Sequence, residues 1–99
     1  MRLRLSLTIP GDLEGIVDFI AQDSPRHAAR VIRLLRLRMR EIARHPELYR
    51  IRPEFAPDAR RATLGQYVIL FPIRQNAVRI ERVVHGSRDL LPLFRESDN

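Results

Sequence analysis

Residues 67–89 read YVILFPIRQNAVRIERVVHGSRD: two apolar runs on either side of a short polar loop, Arg74-Gln75-Asn76. That pattern predicts an antiparallel β-hairpin. In the first run Tyr67, Ile69 and Phe71 share one face, and Val68 and Leu70 share the other. A strand apolar on both faces is a central one. The second run alternates, with Val78, Ile80 and Val84 on one side and Arg79, Glu81 and His85 on the other; Arg82 interrupts the apolar side. It closes in His85-Gly86-Ser87-Arg88-Asp89, a polar cluster where a buried strand hands over to a loop, which is a common place for a site.

Upstream of the hairpin, residues 59–64 predict a short strand, joined to it by Gly65-Gln66. Residues 46–58, PELYRIRPEFAPD, hold three prolines and no sustained periodicity. They predict an ordered loop pinned by Leu48, Tyr49 and Phe55. Residues 25–45 predict the longest helix, with Ser24 as N-cap, Pro25 at the first helical position and His45-Pro46 as the stop. Its apolar stripe is Ala28, Ile32, Leu35, Met39 and Ile42. Opposite it, Arg26, Arg30, Arg33, Arg40 and Arg44 fall within roughly 80° at 100° per residue, with Leu34 and Leu37 projecting beside them. Residues 13–22 predict a shorter helix with Leu13, Ile16, Val17 and Ile20 on one arc, capped by Asp12. Residues 1–9 alternate, placing Leu3, Leu5, Leu7 and Ile9 on the buried face of a strand that Pro10-Gly11 ends. Beyond Arg88, Leu90-Leu91-Pro92-Leu93-Phe94 is apolar but too short for a core helix, and residues 95–99 are expected to fray.

The order β-α-α-β-β-β predicts an α+β layer fold, with two helices packed on a mostly antiparallel four-stranded sheet. At 99 residues, one domain over 1–99 is expected. Hydrophobic content of 44% and charged content of 30% suit a soluble protein with a modest core. No run approaches a membrane span and Met1 begins no signal peptide, so a cytoplasmic location is expected.

The absence of cysteine excludes disulfides, thiolate metal sites and cysteine nucleophiles. His27, His45 and His85 show no ligand spacing, no glycine-rich phosphate loop occurs, and no cofactor is expected. The net charge is +6, and all 18 basic residues are arginine. Arginine pairs bidentately with carboxylate or phosphate and does not deprotonate, so it supplies no tuned general base. This charge favours an anionic partner, either nucleic acid or an acidic protein segment. The best chemical constellation is His85 with Arg88, joined by Arg61, Arg79 and Arg82 from neighbouring strands. Arginines clamp phosphate while a histidine moves a proton. The alternative is structural: His85 as a turn residue bonded to a backbone carbonyl, and Arg88-Asp89 as an ion pair fixing the loop.

In this order and spacing the chain resembles the ParE/RelE toxin superfamily. The resemblance rests on Asp12-Leu13 with Ile16, Phe19-Ile20-Ala21, Pro25 with Ala28-Ala29, Ile42 before Pro46, and Arg60-Arg61 ahead of Tyr67-Val68-Ile69-Leu70-Phe71. The closing Ile80-x-x-Val83-x-His85-Gly86-x-Arg88-Asp89 is the most specific match. The resemblance implies a small toxin made with an antitoxin, either a RelE-like nuclease that cuts mRNA on the ribosome or a ParE-like inhibitor of DNA gyrase without known catalytic residues. Arg88 fits the RelE-like arginine after the fourth strand, and Arg61 fits a basic position before the third. Val68 stands where a third-strand arginine belongs, Phe94 stands in place of a terminal tyrosine, and there is no lysine. The chain therefore looks ParE-like.

This branch implies gyrase contacts at His85, Arg88, Leu90, Leu91 and Phe94. It also implies a hetero-oligomer with an acidic, partly disordered ParD-like antitoxin. That partner is expected on Leu13, Val17, Arg30, Arg33, Leu34 and Leu37. The alternative is an endoribonuclease using Arg61, His85 and Arg88; a third is a toxin fold that has lost activity.

Overall fold

The computed structural model describes residues 1–86. The elements are β1 (Arg2–Leu5), α1 (Ile9–Ala21), α2 (Pro25–Arg44), a 3-10 turn (Pro46–Leu48), β2 (Arg60–Leu64), β3 (Tyr67–Phe71), β4 (Ile73–Arg74), β5 (Ala77–Ile80) and β6 (Arg82–His85). The α+β order is the expected one. The hairpin turns at Gln75-Asn76, both at positive φ (54° and 59°), the conformation of a two-residue type I′ turn.

The expected four-stranded sheet is instead two three-stranded sheets, β1-β5-β4 and β2-β3-β6. Each arm of the hairpin is broken once. Pro72 lacks an N–H and separates β3 from β4. On the other arm the register slips by one residue: Leu70 faces Arg82, whereas Ile73 faces Val78. The extra residue makes a β-bulge before Arg82. The Glu81 N–H still donates to Leu70 O (2.8 Å), and the Ser6 and Thr8 hydroxyls donate to its carbonyl (2.8 and 2.7 Å).

The bulge changes which face each later residue occupies. Val83, not Val84, joins Val78 and Ile80 in the main core, and Glu81 is wholly buried beside the Arg79 guanidinium (3.0 Å). The alternation expected for this arm therefore fails beyond Ile80. The main core lies between the helices and the sheets and includes Ile9, Leu35, Met39, Ile42, Ile69, Phe71, Val78 and Val83. A second cluster on the opposite face holds Phe55, Ala59, Val68, Leu70 and Val84. The two faces of β3 thus fill two cores, as its sequence requires.

α2 starts at the expected cap, where Ser24 Oγ accepts from the His27 N–H (3.1 Å). α1 begins at Ile9, four residues before the expected start, with Thr8 as N-cap and Pro10 in the first turn. A proline there leaves no helical bond unmade. Asp12 is therefore inside the helix and caps something else. It accepts two hydrogen bonds from Arg82 (2.8 and 2.9 Å) and one from the Val83 N–H (3.0 Å). This pair ties α1 to the edge of β6 that no strand covers among the described residues.

β1 pairs in parallel with β5. Its leucines do not form the expected buried face: Leu3, Leu5 and Leu7 are exposed, and Ile9 is buried from within α1. β1 is an edge strand of its sheet, and all four of its residues are exposed. In the 46–58 segment, which opens with the 3-10 turn, Tyr49 and Phe55 pack as expected, whereas Leu48 is 77% exposed. Arg74 grips Asp58 through two bonds (2.9 and 3.2 Å), and its hydrogen bonds hold that carboxyl below the usual carboxylate range. No helix among the described residues is long and apolar enough to cross a membrane.

Candidate functional site

The polar end of β6 is where the chemistry-bearing residues were expected to gather. His85 pairs across from Tyr67 on β3 and stacks edge-on against its ring (5.7 Å). A ring nitrogen, Nε2, lies 2.8 Å from Gln66 Oε1. Gly86 follows, and its N–H donates to Gln66 O (2.8 Å). A Cβ at Gly86 would stand 3.2 Å from that same carbonyl, so the close approach of the two turns suits glycine.

Arg61 and His85 share a shallow recess with Thr63, Gln66 and Val68. The expected neighbours Arg79 and Arg82 are not there. Arg82 turns to Asp12, and Arg79 turns to Glu81 before the bulge. Arg88, Leu90, Leu91 and Phe94 lie outside the described residues. The floor under Arg61 is apolar: Val68 is 2% exposed and packs in the second cluster. Among the described residues no group of histidine, aspartate and glutamate could hold a metal ion.

On the other side of His85 an apolar groove begins. One recess, of about 490 Å³, lies between α1 and β6 and is lined by Gly11, Gly15, Phe19, Tyr67, Val83 and His85, among others. The next, of about 500 Å³, shares Phe19 and Tyr67 with it and runs on past Val31, Leu34 and Leu64. Phe19 stands between the two and is 68% exposed. Its ring extends the apolar surface that the two recesses share.

The family model for the ParE toxin of the type II toxin–antitoxin system parDE matches residues 3–90. The chain belongs to the ParE toxin family. It is accordingly the toxin component of a type II toxin–antitoxin module. Among solved structures, a chain of the chromosomal ParDE toxin–antitoxin system from P. aeruginosa superposes with a TM-score of 0.75 at 19% identity, covering 86% of this chain and 95% of that one. At that identity the likeness concerns the fold. No curated protein matches the sequence.

The six residues expected to meet the antitoxin of this ParE-family toxin fall on separate surfaces. Leu34 is half-buried in the groove, and Arg30, one turn before it, borders that side of α2. Arg33 and Leu37 share a shallow recess on the outward face of α2. Leu13 and Val17 are half-buried on α1, on the flank away from Phe19 by helical progression. Phe19 was missed because the apolar arc of α1 was drawn through Leu13, Ile16, Val17 and Ile20. A large aromatic off that arc was the available signal.

Proposed function

We propose that this toxin binds DNA gyrase and holds it on cleaved DNA without catalysing a reaction of its own. The target contacts would be His85 with Arg88, Leu90, Leu91 and Phe94 in the segment that follows. The observation that carries the non-enzymatic reading is the packing of Val68. The third-strand position where RelE-like nucleases place an arginine is filled by a buried valine between Phe55, Ala59, Leu70 and Val84. Cleaving RNA needs a base, an acid and a cation around one phosphate. Such a face offers hydrocarbon where one of those groups must stand.

The test is a chain truncated after Asp89, expressed in bacteria without antitoxin. The truncated toxin is expected to lose its growth arrest while its circular dichroism and thermal unfolding match those of the full chain. Retained toxicity would remove Leu90, Leu91 and Phe94 from the target surface.

One observation favours the second reading, a ribosome-dependent endoribonuclease. Arg61 and His85 do line one recess. Mapped cleavage of translated mRNA that disappears in Arg61→Ala and His85→Ala would establish it.

Neutralisation is assigned to a cytoplasmic ParD-like antitoxin carrying an acidic, partly disordered segment, in a hetero-oligomer with the toxin. A segment that folds on binding needs apolar area to offset the cost of ordering. The groove from Gly11 to Leu64, with Phe19 and Leu34 along it, supplies that area, and Arg30 at its border faces the acidic residues.

A further inference from the structure

Charge is unevenly divided between the helices. α1 and its flanks carry Asp12, Glu14, Asp18 and Asp23 and no basic residue. α2 carries Arg26, Arg30, Arg33, Arg36, Arg40 and Arg44 along its outward side, all exposed. None of these six forms an ion pair with a carboxylate among the described residues. The one remaining arginine of α2, Arg38, turns back instead to Glu41 and the Thr63 carbonyl. The helix has 20 residues, so the row is about 30 Å long. Among the described residues Leu37 is the one exposed large apolar side chain within it, with the half-buried Ile32 beside it in the same recess.

We propose that this row is a binding surface for the phosphate backbone of double-stranded DNA, meeting the groove at Arg30 alone and separate from the His85 end. Three features favour DNA over the other anionic partners. A disordered acidic peptide must bury apolar surface to offset its ordering, and one exposed leucine with a half-buried isoleucine on this face does not provide it. Duplex DNA needs no such area, because a charge every ~1.7 Å of its axis and the release of condensed counterions supply the free energy. Among the described residues no aromatic ring stands on this face, so it offers no platform for unstacked bases. The binding is therefore read by charge alone, without base sequence. It does not rest on the gyrase reading, since it is measured on DNA without gyrase. Its consequence for that reading is an added grip on the DNA that a topoisomerase holds.

The experiment is fluorescence anisotropy of a labelled duplex of arbitrary sequence, of about 20 base pairs, titrated with antitoxin-free toxin between about 50 and 200 mM salt. Engagement of four to six phosphates predicts a slope of log K against log salt of about −4 to −5, at ~0.9 per phosphate. Affinity should then fall by more than about a hundredfold across that range. The triple variant Arg33→Gln, Arg36→Gln and Arg40→Gln should lose about three units of slope. The control Arg2→Gln with Arg4→Gln, on β1, should lose less than about one. If the triple variant does not fold, Arg33→Gln and Arg40→Gln taken singly should each lose about one unit. No binding at the lowest salt, an unchanged slope in the arginine variants, or an equal loss in the β1 control would overturn the proposal. So would tighter binding of a duplex RNA, or of an oligoglutamate peptide of matched charge, which would reassign the surface to that partner.

Discussion

Asp12→Ala is expected to destabilise the toxin by about 3–5 kcal/mol, the cost of removing one partner from a buried ion pair. Both side chains of the pair are nearly enclosed, at 9% and 11% exposure. The substitution leaves the Arg82 guanidinium without its carboxylate and the Val83 N–H without its acceptor, at the strand edge that α1 covers. For a domain whose whole stability lies within about 5–15 kcal/mol, that is a large fraction. At 4–8 °C per kcal/mol the melting temperature should fall by more than about 12 °C. Asp12→Asn should cost less, because its carbonyl oxygen can still accept from Val83. The double variant Asp12→Leu with Arg82→Met should recover most of the loss, since well-packed apolar residues often replace a buried pair at little cost. A fall below about 1 kcal/mol for Asp12→Ala in chemical denaturation would show that the pair does not hold β6 to α1.

The second large effect is on neutralisation. Phe19→Ala should weaken the toxin–antitoxin complex by at least about thirtyfold, the 2 kcal/mol or more typical of a central aromatic anchor. Folding should be nearly unaffected, because the ring is already 68% exposed in the free chain. Leu34→Asp, further along the same groove, should act in the same direction; Leu37→Asp, on the outward face, should act less. Titration calorimetry against the cognate antitoxin separates these expectations. If Phe19→Ala binds with unchanged affinity and Leu37→Asp does not, the antitoxin lies over the arginine face, and the groove has been misassigned.

Those two residues also show where sequence reading reaches its limit. The double-faced apolar run Tyr67–Phe71 announced a central strand, and Val68 and Leu70 do face a different core from Ile69 and Phe71. Ser24 and Pro25 announced the start of α2. Such features are local, so composition and period suffice. Asp12 read equally well as a helix cap, because its real partner is 70 residues away and only the fold brings them together. The bulge at Glu81 could not be read either. One added residue leaves a strand that still alternates, but on the opposite faces, and Arg82 had already broken the pattern. Leu3, Leu5 and Leu7 illustrate a third limit. Alternation says which residues share a face, not whether anything covers it.

The candidate site was legible to a similar degree. The terminal His85-Gly86 turn was readable from the sequence; the recess it shares with Arg61 was not, because the register sets Arg61 level with Arg82 and sets Leu64 level with His85. The exclusion of Arg79 and Arg82 from that cluster was not readable either, because each is claimed by a carboxylate the sequence could not assign to it. Phe19 lies between these cases. The residue was visible off the apolar arc of α1, but the groove beneath it is made by Tyr67, Val83 and Leu64 from three strands.

The most direct test of the gyrase assignment is a cleavage assay with purified gyrase and supercoiled plasmid, with the toxin added alone and then with its antitoxin. Linear, protein-linked DNA should accumulate with toxin and fall to background when antitoxin is present. Folded toxin that arrests growth yet leaves gyrase supercoiling and cleavage unchanged would contradict the assignment and turn attention to the ribosome and the Arg61–His85 recess.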